Sequence, residues 1–229
     1  MELTAAPRAL ALRIEGLTFG YGAGWLFEGF DAEAGAGITW VQGANGSGKS
    51  TLLRLLAGAL APRQGQFELA GCRYHAGGRG APLAWRRQTF WCLSDPPPTP
   101  WLTVAECLGF VAGTYPGVPA QRLREQVEAL GLAKALATPL RDASLGQQRK
   151  TLLALALALP VRLLLLDEPF NALDAASARH LADTLAARAA DGSQVVLLTS
   201  HVDPHVPVRA RWNLDERPAF SARARPSVS

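Results

Sequence analysis

Apolar and polar residues follow two spacings along the chain, one typical of buried strands and one typical of helices. Short apolar runs that end in loops predict strands at residues 10–17, 37–41, 88–93, 163–166 and 194–199. Apolar residues at helical spacing predict helices at residues 52–60, 120–130, 147–159 and 175–190. Because strands and helices alternate, the pattern indicates an α/β fold.

One predicted strand indicates the type of sheet. Residues 163–166 are Leu at every position, as expected for a strand that is covered on both faces. This favours a buried, mainly parallel sheet. Between about residues 96 and 142 the strand pattern stops and Ala, Leu, Glu and Arg dominate, which predicts a helical insert on the α/β core.

Composition narrows the class of protein. The 229 residues are 48% hydrophobic and 18% charged, which excludes wholesale disorder and fits one domain with a buried core. The longest apolar stretch, residues 152–166, contains Pro160 and Arg162 and is shorter than the roughly 20 residues of a membrane-spanning helix. The N-terminus lacks a cationic region followed by an apolar core, so no secretory signal is predicted. We therefore expect a cytoplasmic chain.

The net charge and the cysteines indicate no further functional site. The net charge is only +4, with 23 Lys and Arg of which three are Lys, so no nucleic-acid partner is expected. Cys72, Cys92 and Cys107 are odd in number and widely spaced. This favours buried apolar side chains over a disulfide framework or a zinc site.

The first candidate site is a glycine-rich loop between a predicted strand and a predicted helix. In such a loop, backbone N–H groups and the helix N-terminus hold a polyphosphate. Lys49 would reach the β- and γ-phosphates, Ser50 would bind Mg²⁺, and Thr51 would open the helix. The alternative is a glycine-rich turn with an incidental lysine. The eight residues that match the P-loop pattern are Gly43, Ala44, Asn45, Gly46, Ser47, Gly48, Lys49 and Ser50.

The second candidate site is a pair of acids that follows the four Leu residues. Ligands of parallel sheets gather at the carboxyl ends of the strands, where Asp167 and Glu168 are predicted to lie. Asp167 is suited to hold Mg²⁺ through water, and Glu168 to orient or deprotonate the water that attacks the γ-phosphate. The alternative is a strand that ends in an acidic turn. Together with the P-loop, the acids favour a nucleotide site.

With these two motifs in this order, the chain resembles the nucleotide-binding subunit of ATP-binding cassette (ABC) transporters over residues 10–203. The resemblance implies a P-loop NTPase core with a mixed, mainly parallel sheet, plus a helical subdomain. All of residues 1–229 would form one nucleotide-binding domain, with the core at about 1–95 and 143–203 and the helical subdomain at about 96–142. Residues 204–229 would be a solvated, partly disordered tail that contains Arg209, Arg211, Arg217, Arg223 and Arg225.

A third motif resembles the signature sequence of that family, usually Leu-Ser-Gly-Gly-Gln. Ser144, Gly146 and Gln147 match it, whereas Ala143 and Leu145 depart from it. Ser144 would cap a helix that starts near Gln147 and form a second anion site. In the family this motif faces the γ-phosphate on another subunit. A plain helix cap is the alternative.

The resemblance extends to three shorter features. Residues 171–174 resemble the loop that links the two active sites, and His201 matches the switch histidine that contacts the γ-phosphate and positions the catalytic water. Tyr21 resembles the aromatic residue on which adenine stacks, with Phe19 as a substitute and a core role as the alternative.

One family feature is missing. After the strand at residues 88–93 the family places a Gln that touches magnesium, but this chain has Ser94, Asp95 and three prolines. Asp95 could bind Mg²⁺ with a full negative charge, although its shorter side chain and the rigid prolines would change the reach of the loop.

The resemblance implies an ATPase coupled to transport. Lys49, Glu168 and His201 would carry catalysis, ATP binding would close a head-to-tail dimer with a second nucleotide-binding subunit, and hydrolysis would reopen it. Separate transmembrane permease subunits would dock beside residues 94–100. The chain would then lie on the inner face of the cell membrane.

A finer resemblance is to the haem-exporter ATPases of bacterial cytochrome c maturation, in residues 26–29, 43–46, 51–58 and 146–150.

Two alternatives to a transporter subunit come from other classes of protein. A soluble regulatory or translation-linked ABC protein stays open, although such factors usually carry two cassettes. A chromosome-maintenance ATPase is disfavoured, because its long coiled coil would separate the P-loop from the signature motif, and here Lys49 and Ser144 are only 95 residues apart (144 − 49).

Overall fold

The computed structural model describes residues 10–22, 24–78, 80–92 and 99–216. In chain order its elements are β1 (Ala11–Phe19), β2 (Phe27–Gly35), β3 (Gly37–Gln42), α1 (Lys49–Leu56), β4 (Gln64–Leu69), β5 (Cys72–His75), α2 (Leu83–Arg87), β6 (Thr89–Cys92), α3 (Val104–Gly113), α4 (Ala120–Ala129), a 3-10 turn (Ala133–Ala135), α5 (Leu145–Ala158), β7 (Leu163–Asp167), α6 (Ala175–Asp191), β8 (Val195–Thr199) and β9 (Val208–Asn213).

The strands form two sheets. Five strands in the order β6-β7-β8-β3-β9 make a parallel sheet, and four strands in the order β2-β1-β4-β5 make an antiparallel sheet. The predicted α/β fold with a mainly parallel sheet is therefore confirmed. The antiparallel strands pair among themselves and lie beside the parallel sheet.

The strand β7 is covered on both faces, as its four Leu residues predict. Leu163 and Leu165 pack in a cluster with α1 and the antiparallel sheet, whereas Leu164 and Leu166 pack in a cluster with α5 and α6. All four side chains are fully buried. Loops at the carboxyl end of the parallel sheet are thus held by a packed core.

The predicted helices are all present, with shifted ends. The helix α1 begins at Lys49, three residues earlier than its apolar pattern suggests, and ends at Leu56, before Gly58 at φ +75°. Both α3 and α4 fall within residues 96–142 and pack against α5. Within the described part of the chain, no helix is long and apolar enough to span a bilayer.

Two expectations need correction. Residues 204–229 were assigned to a tail, yet Val208–Asn213 form β9, an edge strand of the parallel sheet. Two arginines interrupt the apolar run that would have predicted this strand. Arg209 donates to the carbonyl oxygen of Ala36 (2.8 Å), and Arg211 lies over the Trp40 ring. Arg217, Arg223 and Arg225 lie outside the described residues. Cys92 and Cys107 are buried as predicted, whereas Cys72 is only half-buried.

Candidate nucleotide site

The glycine-rich loop runs from the end of β3 into α1 and can close this tightly only with glycine at two positions. Gly43 has φ +148°, and a Cβ there would come within 2.4 Å of Ser47 Oγ. Gly48 has φ +102°, and a Cβ there would come within 3.0 Å of the Phe27 ring. These backbone angles favour glycine strongly. The result is a narrow cradle of main-chain atoms ahead of α1.

Lys49 lies inside this cradle. Its side chain is buried, and Nζ donates hydrogen bonds to the carbonyl oxygens of Gly43 (2.7 Å) and Ala44 (3.1 Å). The first turn of α1 contains no acidic residue and has no side-chain cap. The N-terminal N–H groups and the positive end of the helix dipole therefore suit the binding of an anion.

The two acids lie at the carboxyl end of β7, as predicted. Asp167 is buried and accepts a hydrogen bond from Thr199 Oγ1 (2.7 Å). Glu168 has φ +49°, an unusual conformation for a residue other than glycine. Its Oε1 atom is buried, accepts no hydrogen bond from any described residue, and lies 3.5 Å from Nε2 of His201. A buried carboxylate oxygen without a donor can accept a proton or a water.

A cleft of about 370 Å³ brings these groups together. Ala44 and Ser47 belong to the same loop but do not line it. Ser50 and Asp167 place a hydroxyl and a carboxylate in the cleft, and oxygen atoms are the ligands that Mg²⁺ prefers. Among the described residues, no group of three or more His, Cys, Asp or Glu side chains is arranged to hold a metal ion by itself. Lining residues are Tyr21, Leu26, Asn45, Gly46, Gly48, Lys49, Ser50, Thr51, Asp167, Glu168 and His201.

Tyr21 lies at the edge of this cleft with 58% of its surface exposed. Its hydroxyl is 3.3 Å from Thr51 Oγ1, and the ring of Phe19 packs edge-on against it with centroids 5.1 Å apart. Phe19, the alternative stacking residue, is buried. Only Tyr21 of the two offers an open ring face to a base.

The signature motif lies outside the cleft and begins α5. Ser144 Oγ accepts a hydrogen bond from the N–H of Gln147, and the Gln147 side chain accepts one from the N–H of Ser144, which confirms the predicted cap. Ser144 is exposed, and Leu145 is 64% exposed. A Cβ at Gly146 would come within 3.2 Å of the Ala172 carbonyl oxygen, so this motif touches the loop at residues 171–174.

Several contacts around the acids were not predicted from the sequence. The Arg149 guanidinium, on α5, donates to the carbonyl oxygens of both Asp167 and Glu168. Lys150 Nζ binds Asp174 (2.5 Å), and Asp215 accepts a hydrogen bond from the N–H of Ala44 (2.8 Å). The sequence indicated these contacts only through Arg149 and Lys150, two adjacent basic residues that follow the signature motif. Asp95, the remaining predicted Mg²⁺ ligand, lies outside the described residues.

The ion pair between Lys150 and Asp174 provides a test of these contacts. The Lys150 hydrogen bond is the main cause that holds the pKa of the Asp174 carboxyl below its ordinary value, with the N–H of Ser177 as the second cause. We expect Lys150→Met to raise that pKa in a carboxyl NMR titration. Since a lowered pKa stabilises the fold above the unfolded value and that stabilisation is lost on acidification, the variant should also lose less stability between neutral and acidic pH.

Lys134→Met, which changes an exposed lysine in the 3-10 turn, should leave the Asp174 pKa unchanged. An unaltered Asp174 pKa in Lys150→Met would show that the ion pair does not form in solution.

Comparison with known proteins assigns the family and the fold. The family described as ABC transporter matches residues 30–171, more than half of the chain. The chain belongs to the ABC transporter family. One ABC relative is a cytochrome c biogenesis ATP-binding export protein of Paramagnetospirillum magneticum, 40% identical over 192 residues that cover 82% of this chain and 85% of the relative.

A second relative is an Fe(3+) ions import ATP-binding protein of Mesorhizobium japonicum, 41% identical over 165 residues. That match covers 71% of this chain but only 46% of the relative, so the chain spans about half of that importer protein. Among solved structures, the ATP-binding subunit of an ABC transporter superposes with a TM-score of 0.74 at 27% identity, over 83% of this chain and 79% of the other. The ABC assignment thus holds in sequence and in fold.

Proposed function

We propose that this ABC protein binds and hydrolyses ATP and thereby powers separate membrane subunits of a transporter. The observation that carries the proposal is the cleft in which Lys49, Asp167, Glu168 and His201 meet at the carboxyl end of the parallel sheet. One positive charge, helix N–H groups and two carboxylates are the groups that phosphoryl transfer requires.

Each side chain would have one task. Lys49 and the N–H groups of the loop would stabilise negative charge on the phosphates, and Tyr21 would stack on adenine. Glu168 would take the proton of the attacking water, with His201 beside it to orient that water. Ser50, Asp167 and Asp95 would hold Mg²⁺, which supplies positive charge to the leaving phosphates.

A second copy of the chain, or a similar subunit, would complete each site. The cap formed by Ser144, Gly146 and Gln147 is exposed or half-buried and does not line the cleft of its own chain. A head-to-tail pair would bring this cap onto ATP held by the partner, where the Ser144 hydroxyl and the positive N-terminus of α5 suit the γ-phosphate.

The membrane subunits would dock beside residues 94–100. Two large apolar side chains in the segment that follows are exposed, Trp101 by 66% and Phe110 by 64%. Burial of these two side chains against a membrane subunit would remove apolar surface from water and stabilise the complex. The chain would then lie on the inner face of the membrane, and residues 96–142 would form the subdomain that meets the permease.

Copurification tests this proposal. We expect the chain to copurify with membranes and with permease subunits, and Trp101→Ser together with Phe110→Ser to release most of it into the soluble fraction. Trp25→Ser is a matched control, because Trp25 is also an exposed tryptophan (51%) but lies in the loop between β1 and β2. Recovery with ribosomes instead would contradict the transport proposal.

The sequence of the chain is about equally identical to an export protein (40%) and to an import protein (41%). These identities therefore do not select one cargo. Haem export for cytochrome c maturation stays one candidate among several. The soluble regulatory alternative gains no support from either relative, since both are named for transport. The permease recovered in the copurification would identify the class of cargo.

A further inference from the structure

The hydroxyl of Thr199 lies between the two acids of the cleft. Thr199 is the last residue of β8, is fully buried, and pairs with Asp167 in the register of the parallel sheet. Its Oγ1 atom is 2.7 Å from Asp167 Oδ1 and 2.9 Å from the backbone nitrogen of Glu168. A carboxylate only accepts and an amide N–H only donates, so the hydroxyl must donate to Asp167 and accept from Glu168.

These hydrogen bonds hold a strained residue in place. Glu168 has φ +49°, and a non-glycine residue keeps such a conformation only when its surroundings fix it. The peptide groups on either side are fixed by Arg149, which donates to the carbonyl oxygens of Asp167 and Glu168. Thr199 accepts from the N–H of Glu168, so the peptide group between Asp167 and Glu168 is held at both its carbonyl and its N–H. The Glu168 side chain then points into the cleft, with Oε1 3.5 Å from Nε2 of His201.

We propose that Thr199 is a positioning residue for ATP hydrolysis, whose hydroxyl fixes the Asp167 carboxylate and the Glu168 main chain relative to each other. The proposal rests on the proposed function, because it acts through the two acids assigned to magnesium and to the attacking water. Without the hydroxyl, a buried carboxylate oxygen and a buried N–H would lose their shared partner, and Glu168 would relax away from its present angle.

A merely structural role would have a different signature. A buried Thr that only stabilises β8 would change the melting temperature, but it would leave kcat unchanged in the folded fraction. A positioning role changes kcat in protein that is fully folded, because small errors in the position of a catalytic group slow the chemical step. Comparison of kcat, KM and thermal unfolding therefore separates the two roles.

The test uses the full chain with three substitutions. Thr199→Val keeps the side-chain shape and removes the hydroxyl, and we expect kcat to fall by about tenfold or more while KM for ATP stays within about threefold. Thr199→Ser restores the hydroxyl and should recover at least about half of the parent kcat. Thr89→Val is the matched control: Thr89 is buried at the other end of the sheet, at the start of β6, and its Oγ1 has no hydrogen-bond partner among the described residues.

Three outcomes would overturn the proposal: a Thr199→Val kcat within about twofold of the parent, a Thr199→Ser variant as slow as Thr199→Val, or an effect on KM alone. If Thr199→Val does not fold, Thr199→Ala is judged by the same limits. Glu168→Gln is measured alongside. A slow Glu168→Gln with a normal Thr199→Val overturns only the role of Thr199, whereas a normal Glu168→Gln overturns the proposed catalytic base itself.

Discussion

In Glu168→Gln, ATP turnover is expected to fall on the order of 100-fold or more while Mg-ATP stays bound. Gln has nearly the same shape, but its amide cannot take a proton from water. The effect should be large because Glu168 Oε1 is buried, is adjacent to His201, and receives no hydrogen bond from the described residues that a substitute could inherit. Phosphate release in a single turnover, together with equilibrium nucleotide binding, measures the two quantities separately.

Glu128→Gln provides the control, since Glu128 is an exposed residue of α4 with the same change of charge. It should hydrolyse ATP at the parent rate. Bound ATP that is not cleaved should also hold two Glu168→Gln chains together, which size-exclusion chromatography with Mg-ATP would detect. Parent-like steady-state turnover in Glu168→Gln would remove the residue from catalysis.

Lys49→Ala should abolish detectable ATP binding at concentrations that saturate the parent protein. The ammonium group is held within the cradle by the carbonyl oxygens of Gly43 and Ala44, so its removal deletes the positive charge nearest to the phosphates. Equilibrium dialysis with labelled ATP gives the affinity directly. A thermal melt shows whether the variant is folded, because Lys49 is 8% exposed and its truncation leaves space in the core.

Lys134→Ala is the comparison for this change, because Lys134 is exposed and far along the chain from the loop. Its ATP affinity should equal that of the parent. Saturable binding of ATP by folded Lys49→Ala with parent-like affinity would contradict the assigned role of Lys49.

The parallel sheet was predictable from the sequence because its central strands are short, apolar and buried on both faces. The antiparallel sheet could not be predicted in the same way. The strand β2 alternates buried and exposed residues and contains Gly29 and Gly35, and β4 contains Gly65, so neither forms an apolar run. The pairing of β4 with β1 brings together residues that lie far apart in the chain, such as Leu12 and Leu69, and single-sequence patterns do not specify such partners.

The residues of the candidate site also fall into a predictable group and a group that only the fold reveals. The glycine-rich loop and the acids were predictable because each is a continuous motif at the end of a strand. Thr199, Arg149 and Lys150 were missed because they act across 32, 18 and 24 residues on partners in other elements. They are also common residue types, so only the folded chain indicates their chemistry. Asp215, which binds the N–H of Ala44 from 171 residues away, belongs to the same class.

In the proposed head-to-tail dimer, the helix α5 would connect two regions that act on different nucleotides. Its first turn carries the Ser144 cap, which would face the partner's ATP. Five residues later Arg149 holds the carbonyl oxygens of Asp167 and Glu168 in its own cleft. Less than two turns of rigid helix separate these contacts. In the proposed dimer, we therefore expect a displacement of the cap to move the acids of the other site, so that the two ATP molecules would not be hydrolysed independently.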